Sequence, residues 1–130
     1  MRTQGVLYDK SKAFALEVIA LCKGLREKGE YDLSKQILKS GTSIGANYCE
    51  ALCSESPQDF VHKVSISLKE ANETAYWLDL LHDSKLIDEE KFNQLRMQVE
   101  ELYKMLNASS ITVKQKHMQK HSHIPTLTKD

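Results

Sequence analysis

Proline is nearly absent from this 130-residue chain: two prolines and five glycines leave long stretches in which nothing forbids a helix. Cysteine is scarce as well. Cys22, Cys49 and Cys53 are odd in number and come without a secretory pattern, which argues against a disulfide framework. Cys49 and Cys53, four apart, read as small buried or half-buried thiols. A basic excess is missing too. The 18 Lys/Arg are balanced by 18 Asp/Glu, whereas a dedicated nucleic-acid binder usually carries surplus positive charge. No run approaches the ~18 apolar residues of a membrane span, and the N-terminus lacks the ~7–15-residue apolar core of a signal peptide. A cytoplasmic protein with no membrane association is the expectation.

What is present is apolar periodicity. The length suits one domain, and 41% hydrophobic with 28% charged residues are ordinary values for a globular protein. Phe14, Val18, Leu21, Cys22 and Leu25 recur at three-to-four spacing, which predicts a first helix from about Asp9 to Lys28, capped by Asp9 or Ser11 and closed by Gly29. Leu33, Ile37, Gly41, Ile44, Tyr48 and Leu52 predict a second, from about Leu33 to Ser54 with Asp32 as cap. Gly41 and Gly45 cost it roughly 1 kcal/mol each in propensity relative to alanine, so they should be there to admit another backbone closely. The third helix has the clearest start: Ser56 as N-cap, Pro57 in the first turn and Asp59 three residues on. Its core stripe is Phe60, Val64, Leu68, Ala71, Ala75 and Leu78, and it should end near His82. A fourth begins at Asp88, with Glu89 and Glu90 favourable in its first turn. It carries Phe92, Leu95, Val99, Leu102 and Leu106 and should stop near Asn107. The links are short, so neighbours should be antiparallel. The prediction is an all-α, up-down-up-down four-helix bundle over residues 1–108.

From Ser109 the pattern lapses. Residues 109–130 form a polar, basic, histidine-containing segment, expected to be a flexible tail that orders only against another molecule. Charge divides at the same place: residues 1–108 hold 14 Lys/Arg against 17 Asp/Glu, a net of −3, and the remainder is +3.

Two helices carry more than a core stripe. On a wheel of 100° per residue, the third has Ile66, Trp77, Leu80 and Leu81 roughly opposite its core, with Glu70 and Glu73 among them. A solvated back does not normally offer tryptophan and leucine together. On the second helix, Gln36, Ser40, Ser43, Asn47 and Glu50 recur at 4-3-4-3 spacing. These are short groups that permit close contact and hydrogen bonding to charged partners, and Lys69 is placed to pair with Glu50. Ser43, Asn47, Glu50, Ile66, Lys69, Glu70, Glu73 and Trp77 are therefore the expected surface of a homo-oligomer.

Catalytic constellations are weak. Asp79 and His82 have the Glu-x-x-His type of spacing of a di-iron bundle, but no second copy exists. His117, His121 and His123 could hold zinc or nickel opportunistically. Gly41 and Gly45 lie inside a helix, not in a phosphate loop, and Cys49 lacks a nearby histidine to activate it. The expectation is a non-enzyme without metal or cofactor. An alternative role in binding RNA or DNA would draw on Lys35, Lys39, Lys63, Lys114, Lys116 and Lys120.

The chain resembles the four helix bundle proteins, also called 23S rRNA intervening-sequence proteins, which include the accessory protein of diversity-generating retroelements. The resemblance covers about residues 8 to 107. It rests on Ser40-Gly41-Thr42-Ser43-Ile44-Gly45-Ala46-Asn47 and Glu50-Ala51, then on Ser56, Asp59-Phe60, Lys63, Leu68-Lys69-Glu70-Ala71, Glu73-Thr74 and Tyr76-Trp77-Leu78. It implies an antiparallel bundle, a ring-shaped homo-oligomer that is commonly a pentamer, and no enzymatic activity. For the retroelement relatives it implies a nucleic-acid enzyme, a reverse transcriptase, as partner.

Overall fold

The structure is a computed structural model; it describes residues 5–129, with side chains over 5–119. Four helices follow one another, α1 (Val6–Glu27), α2 (Tyr31–Leu52), α3 (Pro57–Asp83) and α4 (Glu89–Lys129), and the described residues include no strand. Each packs on its chain neighbour, and α4 closes the square against α1 with the smallest contact. Short turns force alternating directions, so the up-down-up-down bundle is as expected.

The core stripes meet along the bundle axis. Phe14, Val18, Ile37, Ile44, Val64, Leu78, Leu95, Leu102 and Leu106 are all buried. Burying each such side chain is worth about 1.5–3 kcal/mol, which is why helices of modest propensity hold. Leu21, Leu33, Phe60, Leu68 and Ala75 are half-buried at the margin, and Leu52 is on the surface.

The helix ends explain themselves locally. At α3, the Ser56 hydroxyl accepts the Asp59 amide at 3.0 Å with Pro57 in the first turn, as predicted. At α4, the Asp88 carboxylate accepts the Lys91 amide at 2.8 Å. α1 ends as expected in a left-handed Gly29, φ 81°; the Glu30 amide reaches Leu25 O at 2.9 Å and the Gly29 amide reaches Arg26 O at 2.9 Å. The same closure ends α3, but there Lys85 takes the left-handed position at φ 62°.

Three boundaries differ from the sequence reading. α1 starts at Val6 after Gly5, so Asp9 lies in the first turn and Ser11 is buried. Both cap-type residues are used inside the helix; the Ser11 hydroxyl donates to Tyr8 O at 3.0 Å. α2 starts at Tyr31 after Glu30, not at Asp32. α4 does not stop near Asn107 but runs to Lys129. Ser110 is buried and Val113 and His117 are half-buried, continuing the core spacing with smaller or polar groups. His117 meets Gln58 in the first turn of α3, Nε2 to Nε2 at 3.2 Å.

The glycine pair also has a specific use. A Cβ on Gly41 would lie 2.9 Å and 3.0 Å from the two methyls of Val18, and one on Gly45 would lie 2.9 Å from the Ser11 hydroxyl. The close approach is thus between α1 and α2 of one chain, and it is α1 side chains more than its backbone that fill the space.

Candidate assembly surface

The seam between α2 and α3 is tight because it is built from small polar residues. Thr74 Oγ1 donates to Ser40 Oγ at 2.9 Å, and Ser67 Oγ donates to Ile44 O at 2.7 Å, all of them buried. Ser40 is therefore not part of an outward polar stripe; it is core, with Gln36, Ser43, Asn47 and Glu50 remaining toward the surface. Ser43 and Asn47 spend their side chains on their own helix: Ser43 Oγ donates to Lys39 O at 2.6 Å and Asn47 Nδ2 to Ser43 O at 2.8 Å. Within the chain, Glu50 pairs with Lys63 at 3.2 Å and not with Lys69, which is exposed.

Outside this seam, Ile66, Glu70, Glu73 and Trp77 follow one another at i, i+4, i+7 and i+11 along α3. Ile66, Glu70 and Trp77 are half-buried, and so is Leu80 beside them. Trp77 Nε1 donates to Glu73 Oε2 at 3.2 Å, and Tyr76 meets the indole edge-on at 5.3 Å. Burial, then the adjacent Glu73, push the Glu70 carboxyl up, against an opposing pull from Lys39. Leu81 does not belong here. It is 0% exposed and lies in the core.

The other expected site residues are not gathered into one patch. Lys35 and Lys39 sit on the first half of α2, and Lys63 pairs near its far end; fifteen residues separate Lys35 from Glu50, about 22 Å of helix. Lys114 and Lys116 are exposed on the last part of α4, and the side chain of Lys120 lies outside the described residues. So do those of His121 and His123; among described residues no group of three or more His/Cys/Asp/Glu is arranged to hold a metal. Cys22 is buried, Cys49 half-buried and Cys53 exposed. Asp79 is paired with Arg96 at 3.2 Å. No described helix is long and apolar enough to cross a membrane.

Which family builds such a bundle is decided by comparison. A model described as 23S rRNA-intervening sequence protein matches residues 4–108. The chain belongs to this family. A crystal structure at 1.70 Å of a protein with unknown function, from the S23 ribosomal protein family of Bacteroides thetaiotaomicron VPI-5482, is similar to it. Identity is 45% and the TM-score 0.79, over 81% of this chain and 98% of that chain. No curated protein matches. The family match ends at residue 108, so the last part of α4 is outside it.

Two features of this intervening-sequence protein escaped the sequence reading. The outer face of α1 exposes Leu16 at 58% and Ile19 at 38%, a smaller apolar pair flanked by Lys12 and Lys23. Their signal was present, since a three-residue step puts both on one face, but it was masked by the stronger core stripe. The other is a clamp at the α3–α4 turn. His82 stacks on Phe92 at 4.0 Å, its Nε2 lies 2.8 Å from Glu89 and its Nδ1 lies 3.4 Å from Asp83. The bond to Glu89 above all raises its pKa, so folding holds the proton more tightly than the unfolded chain does. A raised pKa gives stabilisation that is full below the unfolded value near 6.5 and is lost as pH rises through the folded value. The melting temperature of the native chain minus that of His82→Gln should therefore be largest below the unfolded value near 6.5 and shrink as the pH is raised through the higher folded value. A difference constant with pH would mean the clamp is packing alone.

Proposed function

We propose that this chain is a non-enzymatic scaffold or adaptor that works as a homo-oligomer, a pentameric ring in the manner its family resemblance implies. The observation that carries the reading is the stripe Ile66, Glu70, Glu73, Trp77 with Leu80: apolar and acidic groups interleaved on the outer side of α3, of which all but the exposed Glu73 are already half out of water in a single chain. Such a surface gains by meeting another protein, because the indole and aliphatic groups lose their remaining contact with water. The short side chains of Ser43 and Asn47 next to it permit close approach of a second helix.

Sedimentation tests this. The native chain should run at a multiple of 14.8 kDa, and Glu73→Lys with Trp77→Ala should run at 14.8 kDa with unchanged helical circular dichroism. A native chain at 14.8 kDa ends the proposal. If instead Leu16→Glu dissociates the oligomer and the α3 variant does not, assembly uses α1.

Lys114 and Lys116, exposed on α4, support a second reading: an RNA- or DNA-binding accessory to a nucleic-acid enzyme such as a reverse transcriptase. Its mark is nucleic-acid retention that falls steeply with salt, in proportion to the phosphates neutralised.

A further inference from the structure

The three cysteines are placed differently. Cys22 is buried in the core, where its thiol donates to Ser34 O at 3.3 Å. That is the usual place for the residue, since cysteine is among the types most often fully buried. Cys53 is exposed and Cys49 half-buried, and both line one groove of about 480 Å³ between the end of α2 and the first turns of α3. Neither belongs to the hydrophobic core. Cys49 lies fifteen residues along α2 from Ser34, about 22 Å of helix, so the pair is remote from Cys22. Glu50, Asp59 and Lys63 line the same groove, with Lys63 paired to Glu50 at 3.2 Å.

Helical spacing selects the chemistry open to the pair. Residues four apart keep their Cβ atoms about 5–6 Å apart, beyond the about 3.5–4.5 Å at which a disulfide closes. An ion between two thiolates has no such limit. Bonds of about 2.3 Å on either side of it put the sulfurs about 4.6 Å apart, within reach of these Cβ positions. Zinc takes four ligands and iron–sulfur clusters four thiolates, whereas the described residues arrange no group of three or more His, Cys, Asp or Glu around a metal. Cu(I) is soft, is selected by thiolate and, with a closed shell, is satisfied by two ligands in line. We propose that Cys49 and Cys53 form a two-coordinate site for Cu(I). Two S–Cu bonds form, both thiol protons leave to solvent, and no electron is transferred. The copper dithiolate carries one negative charge. Lys63 is the cation the groove offers it, already shared with Glu50, and Asp59 opposes it. The bound ion ties Cys53, the first residue past α2, back to the helix at Cys49.

The test uses the full-length chain, reduced and stripped of metal without oxygen, and Cu(I) presented as its bicinchoninate complex with glutathione in large excess. One equivalent should pass to the native chain and to Cys22→Ser, and X-ray absorption should find two sulfur neighbours for each copper. Cys49→Ser and Cys53→Ser should each leave the copper on the chelator. Neither side chain is part of the core, so both variants should keep native helical circular dichroism. Copper should also raise the melting temperature of the native chain and not that of Cys53→Ser, because an ion bound only by the folded state stabilises it. The proposal is overturned if the two serine variants take up as much copper as the native chain, or if Cys22→Ser alone loses it. Copper that stays with glutathione means adventitious thiol binding only and overturns it too. So does a third sulfur neighbour, or one ion shared by two chains. A Cys49–Cys53 disulfide formed on mild oxidation with helicity intact would remove the spacing on which the choice of an ion depends.

Discussion

Gly41→Val should lower the unfolding free energy by about 3 kcal/mol, the upper part of the range for overpacking a close-packed core. The added Cβ alone falls 2.9 Å and 3.0 Å from the Val18 methyls, and Val18 is 0% exposed. Val18 has little room to yield, because a β-branched side chain in a helix has essentially one rotamer. Replacing glycine gains helix propensity, but by under about 1 kcal/mol, so the clash wins. α1 must then move off α2. Urea unfolding should show a lower midpoint at constant slope, and Val18→Ala in the same chain should recover more than half of the loss, as contacting residues are non-additive. A Gly41→Val midpoint equal to the native one would show that the two helices are not pressed together there.

Leu81→Ala should cost about 2–5 kcal/mol, the range for emptying a buried leucine site. Trp77→Ala, four residues earlier, should leave the stability of a single chain within about 1 kcal/mol and act on the oligomer instead. Leu81 is fully buried, whereas Trp77 is half-buried and held by its own Glu73. Thermal unfolding of both variants at a concentration low enough to separate copies distinguishes the two roles. Equal losses would place Leu81 and Trp77 on one surface.

That contrast also marks where reading the sequence worked. A wheel at 100° per residue sends Leu81 to the outer side of α3. A helix in a left-handed bundle follows a period nearer 3.5, and the discrepancy grows by about 20° per heptad. Over the seventeen residues from Val64 it reaches about 50°, which carries Leu81 back to the core. Near the start of α3 the error is small, and Ser56, Pro57, Asp59 and Val64 were all legible. Ser40 was misplaced for another reason. A hydroxyl looks like surface in a pattern of hydrophobic and polar letters, yet a seam this tight needs a small side chain, and Thr74 satisfies its oxygen. The end of α4 was missed because Ser110, Val113 and His117 keep the spacing of a core stripe without its hydrophobicity. For the candidate site, the juxtaposition of Glu70, Glu73 and Trp77 followed from helical spacing. Lys63 as the partner of Glu50 did not, since it depends on how α2 and α3 slide past each other.

α3 begins at Pro57, yet α4, running alongside in the opposite direction, passes His117 opposite Gln58 and continues to Lys129. About 18 Å of helical backbone therefore stands beyond the end of the bundle that carries the α2–α3 turn. The two ends of the subunit are unlike. In the circle of subunits proposed above, one rim would be fringed by these helix ends and the other, bearing the turns at Gly29 and Lys85, would be bare.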